Sequence, residues 1–236
     1  GTSGGYYDDM RALAVLTALA VFAGLPPCAA SLFGGSSPAG DTSDGPALEP
    51  GWEHVTAGST IKLAHAKSGT RLTMPQVSYG TGSQQQAITA QADAAQTAAL
   101  WRVEPADGTD RGAPIACGTR VRLVNSDSDH SLHSHSGYKS PISGAQEVSG
   151  FDGRDGGDMW IVECTGKAAL WRRESPVHFK HADTGRYLQS LPSKKYRQPI
   201  DGHQEVSAGP KADSNAQWSA LEGYYFAKRR PVPKAN

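Results

Sequence analysis

The chain repeats itself three times, and this repetition constrains its fold more than any other feature. Residues 141–149 and 199–207 agree at seven of nine positions, 58 residues apart. Four apolar markers recur in every copy at spacings of 56 to 60 residues: Leu63, Leu123 and Phe179; Leu72, Leu132 and Leu188; Ile88, Val148 and Val206; Trp101, Trp160 and Trp218. Three copies therefore fill residues 51–226, and we expect the twelve markers to form one structural core.

Each copy has the pattern of short β-strands. Ile61–Ala64 and Val121–Val124 alternate apolar and polar side chains, and the chain carries 27 glycines and 15 prolines, which favour turns. Ala87–Leu100 is rich in Ala and Gln and has helical propensity. Its counterparts, 147–159 and 205–217, contain the Gly, Pro and Asp residues of turns. The repeat therefore predicts strands and turns in all three segments.

The predicted fold is an all-β protein of twelve short strands, four in each copy. Three-fold repetition closes a small barrel without open strand edges. The β-trefoil is the closed architecture that matches three units of this length. A three-bladed propeller is the weaker alternative, because propellers usually carry four or more blades.

The segments outside the repeats are expected to be a leader and a tail. Residues 1–9 contain no Met and are interpreted as non-native or untranslated sequence. Residues 10–30 have one Arg, an apolar run and small residues before Ser31, as in a signal peptide; a buried helix is the alternative. Residues 31–50 predict a flexible leader, and 227–236 a basic flexible tail.

The cysteines fit a translocated protein. Cys28 lies in the predicted signal peptide, so Cys117 and Cys164 remain as an even pair. In an oxidising compartment such a pair favours a disulfide. A reactive Cys nucleophile is the competing interpretation.

Composition and motifs argue against two functional classes. The 23 basic and 23 acidic residues balance, so the surplus of cations that non-specific nucleic-acid binding needs is missing. The sequence has no Gly-x-Ser-x-Gly elbow, no Walker loop and no dinucleotide-binding glycine motif followed by a helical pattern. We therefore predict no catalytic residues, no enzymatic activity and no cofactor.

Histidines and tyrosines are the candidate binding residues. His133 and His135 point to one face of a predicted strand, but zinc needs three or four ligands, so no metal site is predicted. A structural role or a groove for peptide or sugar remains open for both. Three tyrosines follow the second strand of each copy at comparable positions and could stack on a sugar or a client side chain, or pack at hairpin tips: Tyr79, Tyr138 and Tyr196.

Several motifs resemble a known family. The motifs that carry the similarity are Leu132-His-Ser-His135, the Pro141-Ile-Ser-Gly-Ala-Gln-Glu-Val block, Cys117-Gly, Cys164-Thr-Gly, Val177-His-Phe-Lys-His181 and Trp218-Ser-Ala-Leu-Glu-Gly223. In these motifs the chain is similar to the stromal cell-derived factor 2-like proteins, which consist of three MIR motifs. The corresponding copies here are residues 51–106, 112–168 and 169–226. The resemblance implies a β-trefoil, a Cys117–Cys164 disulfide and no enzymatic activity.

The resemblance also implies a function. Family members are lumenal proteins of the endoplasmic reticulum that act as chaperone cofactors in protein quality control and the unfolded protein response. Their partners are a J-domain co-chaperone, an Hsp70-type chaperone and unfolded clients. This sequence ends in Pro233-Lys-Ala-Asn236 instead of a KDEL-like signal, so we expect retention by a partner, with secretion as the other outcome.

A lectin-like function is the alternative. MIR motifs also occur in protein O-mannosyltransferases, which implies recognition of mannosylated proteins or glycans. The Gln-x-Trp motif of ricin-type lectins is missing, because Ala99, Asp158 and Ala216 stand two residues before the three tryptophans.

Overall fold

A computed structural model describes residues 52–93 and 95–227, and this part of the chain is almost entirely β-structure. Copy one contains β1 (Thr60–His65), β2 (Arg71–Thr73), β3 (Gln86–Ala87), β4 (Thr89–Gln91) and β5 (Trp101–Pro105). Copy two contains β6 (Arg120–Asn125), β7 (Ser131–Lys139), β8 (Gln146–Phe151) and β9 (Trp160–Cys164). Copy three contains β10 (Pro176–His181), β11 (Tyr187–Lys195), β12 (Gln204–Gly209) and β13 (Trp218–Tyr224). The predicted leaders, the signal peptide and the tail beyond residue 227 lie outside the described residues.

Two short 3-10 helices, Thr97–Ala99 and Gly156–Asp158, are the helical elements of the described part. The segment 87–100, which has helical propensity, forms strands and one of these turns, as its repeat counterparts predict. None of the described helices has the length and apolar character needed to cross a bilayer.

Six strands close a barrel. β1 pairs with β5 and β13, β6 pairs with β5 and β9, and β10 pairs with β9 and β13, all antiparallel. Each barrel strand therefore has a neighbour on both sides, which removes open edges. The remaining strands form hairpins at one end of the barrel, where β12 joins β4 and β8, and β3 joins β8. This arrangement is a β-trefoil.

Residues 52–93 and 95–227 contain thirteen strands, so the prediction of twelve was wrong by one. The third strand of copy one is split into β3 and β4, with Ile88 between them. Its counterparts β8 and β12 are continuous strands of six residues each. The Tyr79 hydroxyl lies 3.3 Å from both the backbone nitrogen and the carbonyl oxygen of Ile88, so this side chain contacts the backbone where the strand is interrupted.

The three tryptophans occupy equivalent positions. Trp101, Trp160 and Trp218 lie opposite Ile61, Val121 and Val177, the second residues of β1, β6 and β10. All twelve recurrent markers have no exposed surface and belong to one apolar cluster. Burying each such side chain contributes roughly 1.5–3 kcal/mol, so the repeated positions supply much of the stabilisation.

Cys117 and Cys164 are joined by a disulfide with their Cα atoms 5.6 Å apart. Cys164 is the last residue of β9, and the backbone of Cys117 bonds to the carbonyl oxygen of Ala169 at 2.9 Å. The disulfide joins the beginning of copy two to its end.

Candidate functional site

One polar position recurs at the end of the first strand of each copy. The His65 Nε2, Asn125 Nδ2 and His181 Nε2 atoms lie 2.8–2.9 Å from the carbonyl oxygens of Asn215, Ala98 and Gly157. Each of these carbonyls belongs to the turn that precedes a core tryptophan. These buried side chains tie one copy to the next, which is a structural role.

Burial lowers the pKa of His65 and of His181 below the ordinary value of 6.5, although the backbone carbonyls oppose this effect. The Nδ1 atom of His65 lies 2.8 Å from the Ser68 hydroxyl, and that of His181 lies 2.9 Å from the Thr184 hydroxyl. Both ring nitrogens are therefore in use, and neither imidazole is available to a ligand.

His133 belongs to an internal ionic network. It is 6% exposed, and its Nδ1 atom lies 3.0 Å from Asp158 Oδ1 and 3.4 Å from Asp155 Oδ1. Asp158 is fully buried, and its Oδ2 accepts hydrogen bonds from Arg122 Nε at 3.2 Å and from the Asp155 backbone at 3.0 Å. The His133 ring also packs against Phe151, with centroids 4.8 Å apart.

Within the described ranges, His133, Asp155 and Asp158 form the group whose ligand atoms lie close enough together to hold a metal ion, within 4.8 Å of one another. Asp155 instead caps the Gly156–Asp158 turn by accepting from Gly157 N at 2.8 Å. The positively charged Arg122 side chain lies beside the Asp158 carboxylate and would repel a cation. The side chains of His133, Asp155 and Asp158 are thus already bonded to groups of the protein.

His135 lies on the same strand as His133 but outside the barrel. The burial of β7 changes after Ser134, so His135 and all the residues up to Lys139 are exposed. The backbone of Gly137 donates to His135 Nδ1 at 3.1 Å, and the His135 and Tyr138 rings lie 6.1 Å apart. Tyr138 is 43% exposed. This outer end of β7, residues 135–139, is named the β7 arm.

The expected equivalence of the three tyrosines was wrong for Tyr138. The backbone nitrogens of Tyr79, Ser140 and Tyr196 make the same hairpin-closing hydrogen bonds, of 2.8–2.9 Å, to Gln85, Ala145 and His203. Ser140 is therefore the counterpart of the other two tyrosines. Ser140 lies eight residues after Leu132, the same count that separates Tyr196 from Leu188, whereas Tyr138 lies only six residues after Leu132.

Tyr79 and Tyr196 face the hairpin end of the barrel. Tyr79 is 6% exposed, and its hydroxyl donates to the Val148 carbonyl oxygen at 2.9 Å. Burial raises the pKa of Tyr79 well above 10.0 and raises that of Tyr196 to about 12. Both rings line one cavity there, Tyr79 as an almost fully buried part of its wall and Tyr196 as a half-buried residue at its edge.

Two glutamates that were not singled out from the sequence hold neighbouring hairpins. Glu205 Oε1 accepts hydrogen bonds from the Ser140 hydroxyl at 2.6 Å and from the backbones of Ile142 and Ser143 at 2.9 and 3.0 Å. Glu147 Oε1 accepts from the Ser83 hydroxyl and backbone. We call these two contacts the carboxylate clamps. The identical Gln-Glu-Val runs of the repeat were the available signal.

The comparisons with known proteins agree with this architecture. The MIR domain model matches residues 53–163. The stromal cell-derived factor 2-like protein of Dictyostelium discoideum is 40% identical over 183 residues, which cover 74% of this chain and 85% of that protein. The stromal cell-derived factor 2-like protein 1 of Homo sapiens is 37% identical over 188 residues, covering 77% and 83%.

A solved structure extends the agreement to three dimensions. The crystal structure of the SDF2-like protein from Arabidopsis thaliana matches with a TM-score of 0.72 and 35% identity, covering 75% of this chain and 99% of that one. The shared sequence and fold thus span nearly the whole length of that relative. The chain belongs to the stromal cell-derived factor 2-like family.

Proposed function

We propose that the protein is a non-enzymatic chaperone accessory protein of the endoplasmic-reticulum lumen. It binds a J-domain co-chaperone with its Hsp70-type partner and assists the folding and quality control of client proteins. The observation that carries this proposal is membership of the stromal cell-derived factor 2-like family across the entire trefoil. The Cys117–Cys164 bond supports the oxidising compartment.

Several buried polar side chains are bonded to other groups of the protein, and this supports a role in binding. The imidazoles of His65, His133 and His181 and the carboxylate of Asp158 have partners inside the protein. Internal bonds of this kind stabilise a rigid scaffold and leave recognition to surface groups. Tyr138 on the β7 arm is one of two large hydrophobic side chains exposed in the described residues, the other being Tyr224. An exposed tyrosine loses little entropy on binding and is common at interfaces.

The test combines a binding and a functional measurement. The purified protein is titrated with a purified lumenal J-domain co-chaperone in a calorimeter, and it is added to a thermally unfolding model enzyme whose aggregation is followed by light scattering. We expect saturable binding and slower aggregation when both proteins are present. No binding together with unchanged aggregation would contradict the proposal.

A pair of variants tests the surface. Tyr138→Ala removes the exposed ring of the β7 arm, and Tyr224→Ala removes an exposed ring from the end of β13 as the matched control. We expect weaker co-chaperone binding for Tyr138→Ala at an unchanged unfolding midpoint. Inhibition of client or co-chaperone binding by methyl α-mannoside would favour the lectin-like alternative.

A further inference from the structure

The carboxylate clamps follow the pseudo-three-fold symmetry. Glu147 in β8 lies opposite Ser207 in β12, and Glu205 in β12 lies opposite Thr89 in β4. Glu147 of copy two holds the hairpin of copy one at Ser83, and Glu205 of copy three holds the hairpin of copy two at Ser140–Ser143. Symmetry therefore requires a third clamp, from copy one to the hairpin of copy three.

That third clamp is missing because its position holds an alanine. Ala87 in β3 lies opposite Ser149 in β8, so it occupies the same place in its strand pair as Glu147 and Glu205 occupy in theirs. A methyl group cannot accept the hydrogen bonds that a carboxylate makes. The hairpin of copy three also differs from that of copy two. It has two additional residues, Arg197 and Gln198, between Tyr196 and Pro199, whereas Ser140 is followed directly by Pro141.

A cavity of about 190 Å³ opens at this place. Residues from all three copies contribute to its wall, and most of them are apolar: Val77, Tyr79, Ala87, Pro141, Tyr196, Pro199 and Ile200. It is smaller than the roughly 300 Å³ at which small-molecule sites begin, and slightly larger than the 150 Å³ cavity that holds one benzene ring. Its size and lining fit one aromatic or branched aliphatic side chain.

The charges around the cavity define the neighbours of that side chain. Arg197 lines the cavity, and Lys195 and Lys139 immediately precede the equivalent residues Tyr196 and Ser140. These three cations and Lys194 are exposed, and among the described residues none of the four takes part in an ion pair. Asp201 is the acidic residue exposed on the same hairpin. The carboxylates of Glu147 and Glu205 are buried in the clamps, so the exposed charge of this hairpin end is mainly basic, and it complements a segment with acidic residues beside its apolar one.

From these observations we propose that the cavity is a peptide-binding pocket. It takes one phenylalanine- or leucine-sized side chain from an extended polypeptide segment that carries acidic neighbours. Most of the lining surface is apolar, so it suits an apolar side chain better than a sugar. The inference deepens the proposed function by placing one client-contact point in the hairpin end of the trefoil, and it rests on that function.

The probe is a capped peptide of about nine residues, glycine and serine with a central Asp-Phe-Asp, whose binding is followed by fluorescence anisotropy. Burial of the ring corresponds to roughly a 10- to 150-fold change in Kd, so replacement of the central Phe by Ala should weaken binding at least about tenfold. Replacement of both flanking Asp residues by Lys should also weaken it. Equal binding of all three peptides would overturn the proposal.

The matched variant is Ala87→Glu, which introduces the side chain of the other two clamps and fills the cavity. We expect at least about a tenfold rise in the Kd of the Asp-Phe-Asp peptide, a loss comparable to that of removing its ring. The control Ala168→Glu adds the same charge at an exposed residue in the loop after β9. Arg197→Glu, at an exposed position, tests the rim independently and should reduce the preference for Asp over Lys flanks.

Two results separate this inference from the proposed function. If wild-type protein slows client aggregation but Ala87→Glu leaves peptide affinity unchanged, the pocket is wrong and the function stands. If the peptide binds as described but the protein neither slows client aggregation nor binds the co-chaperone, the function is wrong and the pocket stands. Methyl α-mannoside that shifts the amide signals of Val77 and Ile200 would identify a sugar site and overturn the proposal.

Discussion

The indole nitrogen of Trp160 donates a hydrogen bond of 2.8 Å to the carbonyl oxygen of Leu132 in the fully buried core. The same bond, at 2.9 Å, joins Trp101 to Leu72 and Trp218 to Leu188. Each copy therefore ties its last strand to its second strand through one side chain. The tryptophan provides both apolar volume and a satisfied donor, which a smaller apolar residue cannot replace.

Truncation of this side chain should severely destabilise the protein. We expect Trp160→Ala to lower the free energy of unfolding by about 3–5 kcal/mol, because it leaves a large cavity and removes the partner of the Leu132 carbonyl. Chemical denaturation followed by circular dichroism measures the loss. Trp101→Ala and Trp218→Ala should have similar effects. An unchanged midpoint for any of the three would contradict the equivalence of the copies.

The disulfide should contribute measurably to stability. The double variant Cys117→Ser, Cys164→Ser opens a loop with a sequence separation of 47, which corresponds to about 4 kcal/mol in the chain-entropy model. Urea denaturation of the variant and the wild type gives the difference. Thiol labelling of the denatured, non-reduced wild type should detect neither Cys117 nor Cys164; labelling of both would show that the bond does not form.

The buried histidines His65 and His181 should make stability depend on pH. Their pKa values are lowered by burial in the folded protein, whereas in the unfolded chain histidine titrates near 6.5. Below about pH 6.5 the unfolded state binds more protons, so the free energy of unfolding falls as the pH falls towards the folded pKa values. Above that pH their contribution is fully present.

Copy two supplies the variant that tests this pH dependence, because Asn125 fills the equivalent position. His65→Asn with His181→Asn should flatten the dependence of the urea midpoint on pH between about 7 and 5. The raised pKa of Glu147 works in the opposite direction and is common to both proteins, so the difference isolates the histidines. His135→Asn, at an exposed position, serves as the control. An equally steep slope in the double variant would contradict the assignment.

Loss of one carboxylate clamp should loosen one hairpin. Glu205→Ala leaves the Ile142 and Ser143 backbone donors and the Ser140 hydroxyl without their acceptor, at a cost of about 1–3 kcal/mol. Hydrogen exchange of the two amides should accelerate. In Glu163→Gln the half-exposed carboxylate, 3.6 Å from Lys180, is removed, and we expect stability to change by no more than about 0.5 kcal/mol. Unaltered exchange in Glu205→Ala would show that the clamp does not restrain the hairpin.

The sequence was most informative where the three copies agree. Leu63, Leu72, Ile88 and Trp101 each have counterparts at nearly constant spacing, because every copy must place the same volume at the same point of a shared core. The fold followed from that constraint. The ends of the chain carry no such repetition, and the boundaries predicted there remain predictions.

The site was less predictable because it depends on where the copies differ. Tyr138 lies on the exposed β7 arm, two residues before Ser140, and the hairpin hydrogen bonds that identify Ser140 as the counterpart of Tyr196 are visible only in the fold. The network of His133 joins Asp158, 25 residues away, through a turn whose position depends on the folded hairpin. The pocket arises from one substitution, at Ala87, together with two additional residues in another copy. A comparison of the three copies finds such sequence differences only after the structure has shown which residues of the copies are equivalent.

The pairing of β1 with β13 has a consequence for biosynthesis. Thr60 lies opposite Tyr224, so the first barrel strand acquires this neighbour only when the last one has been made. At 5–20 residues per second, that wait is on the order of ten to thirty seconds on the ribosome. Throughout it the nascent trefoil presents an unpaired strand edge and its apolar interior to other chains. The newly made protein is therefore itself vulnerable to aggregation until its final strand closes the ring.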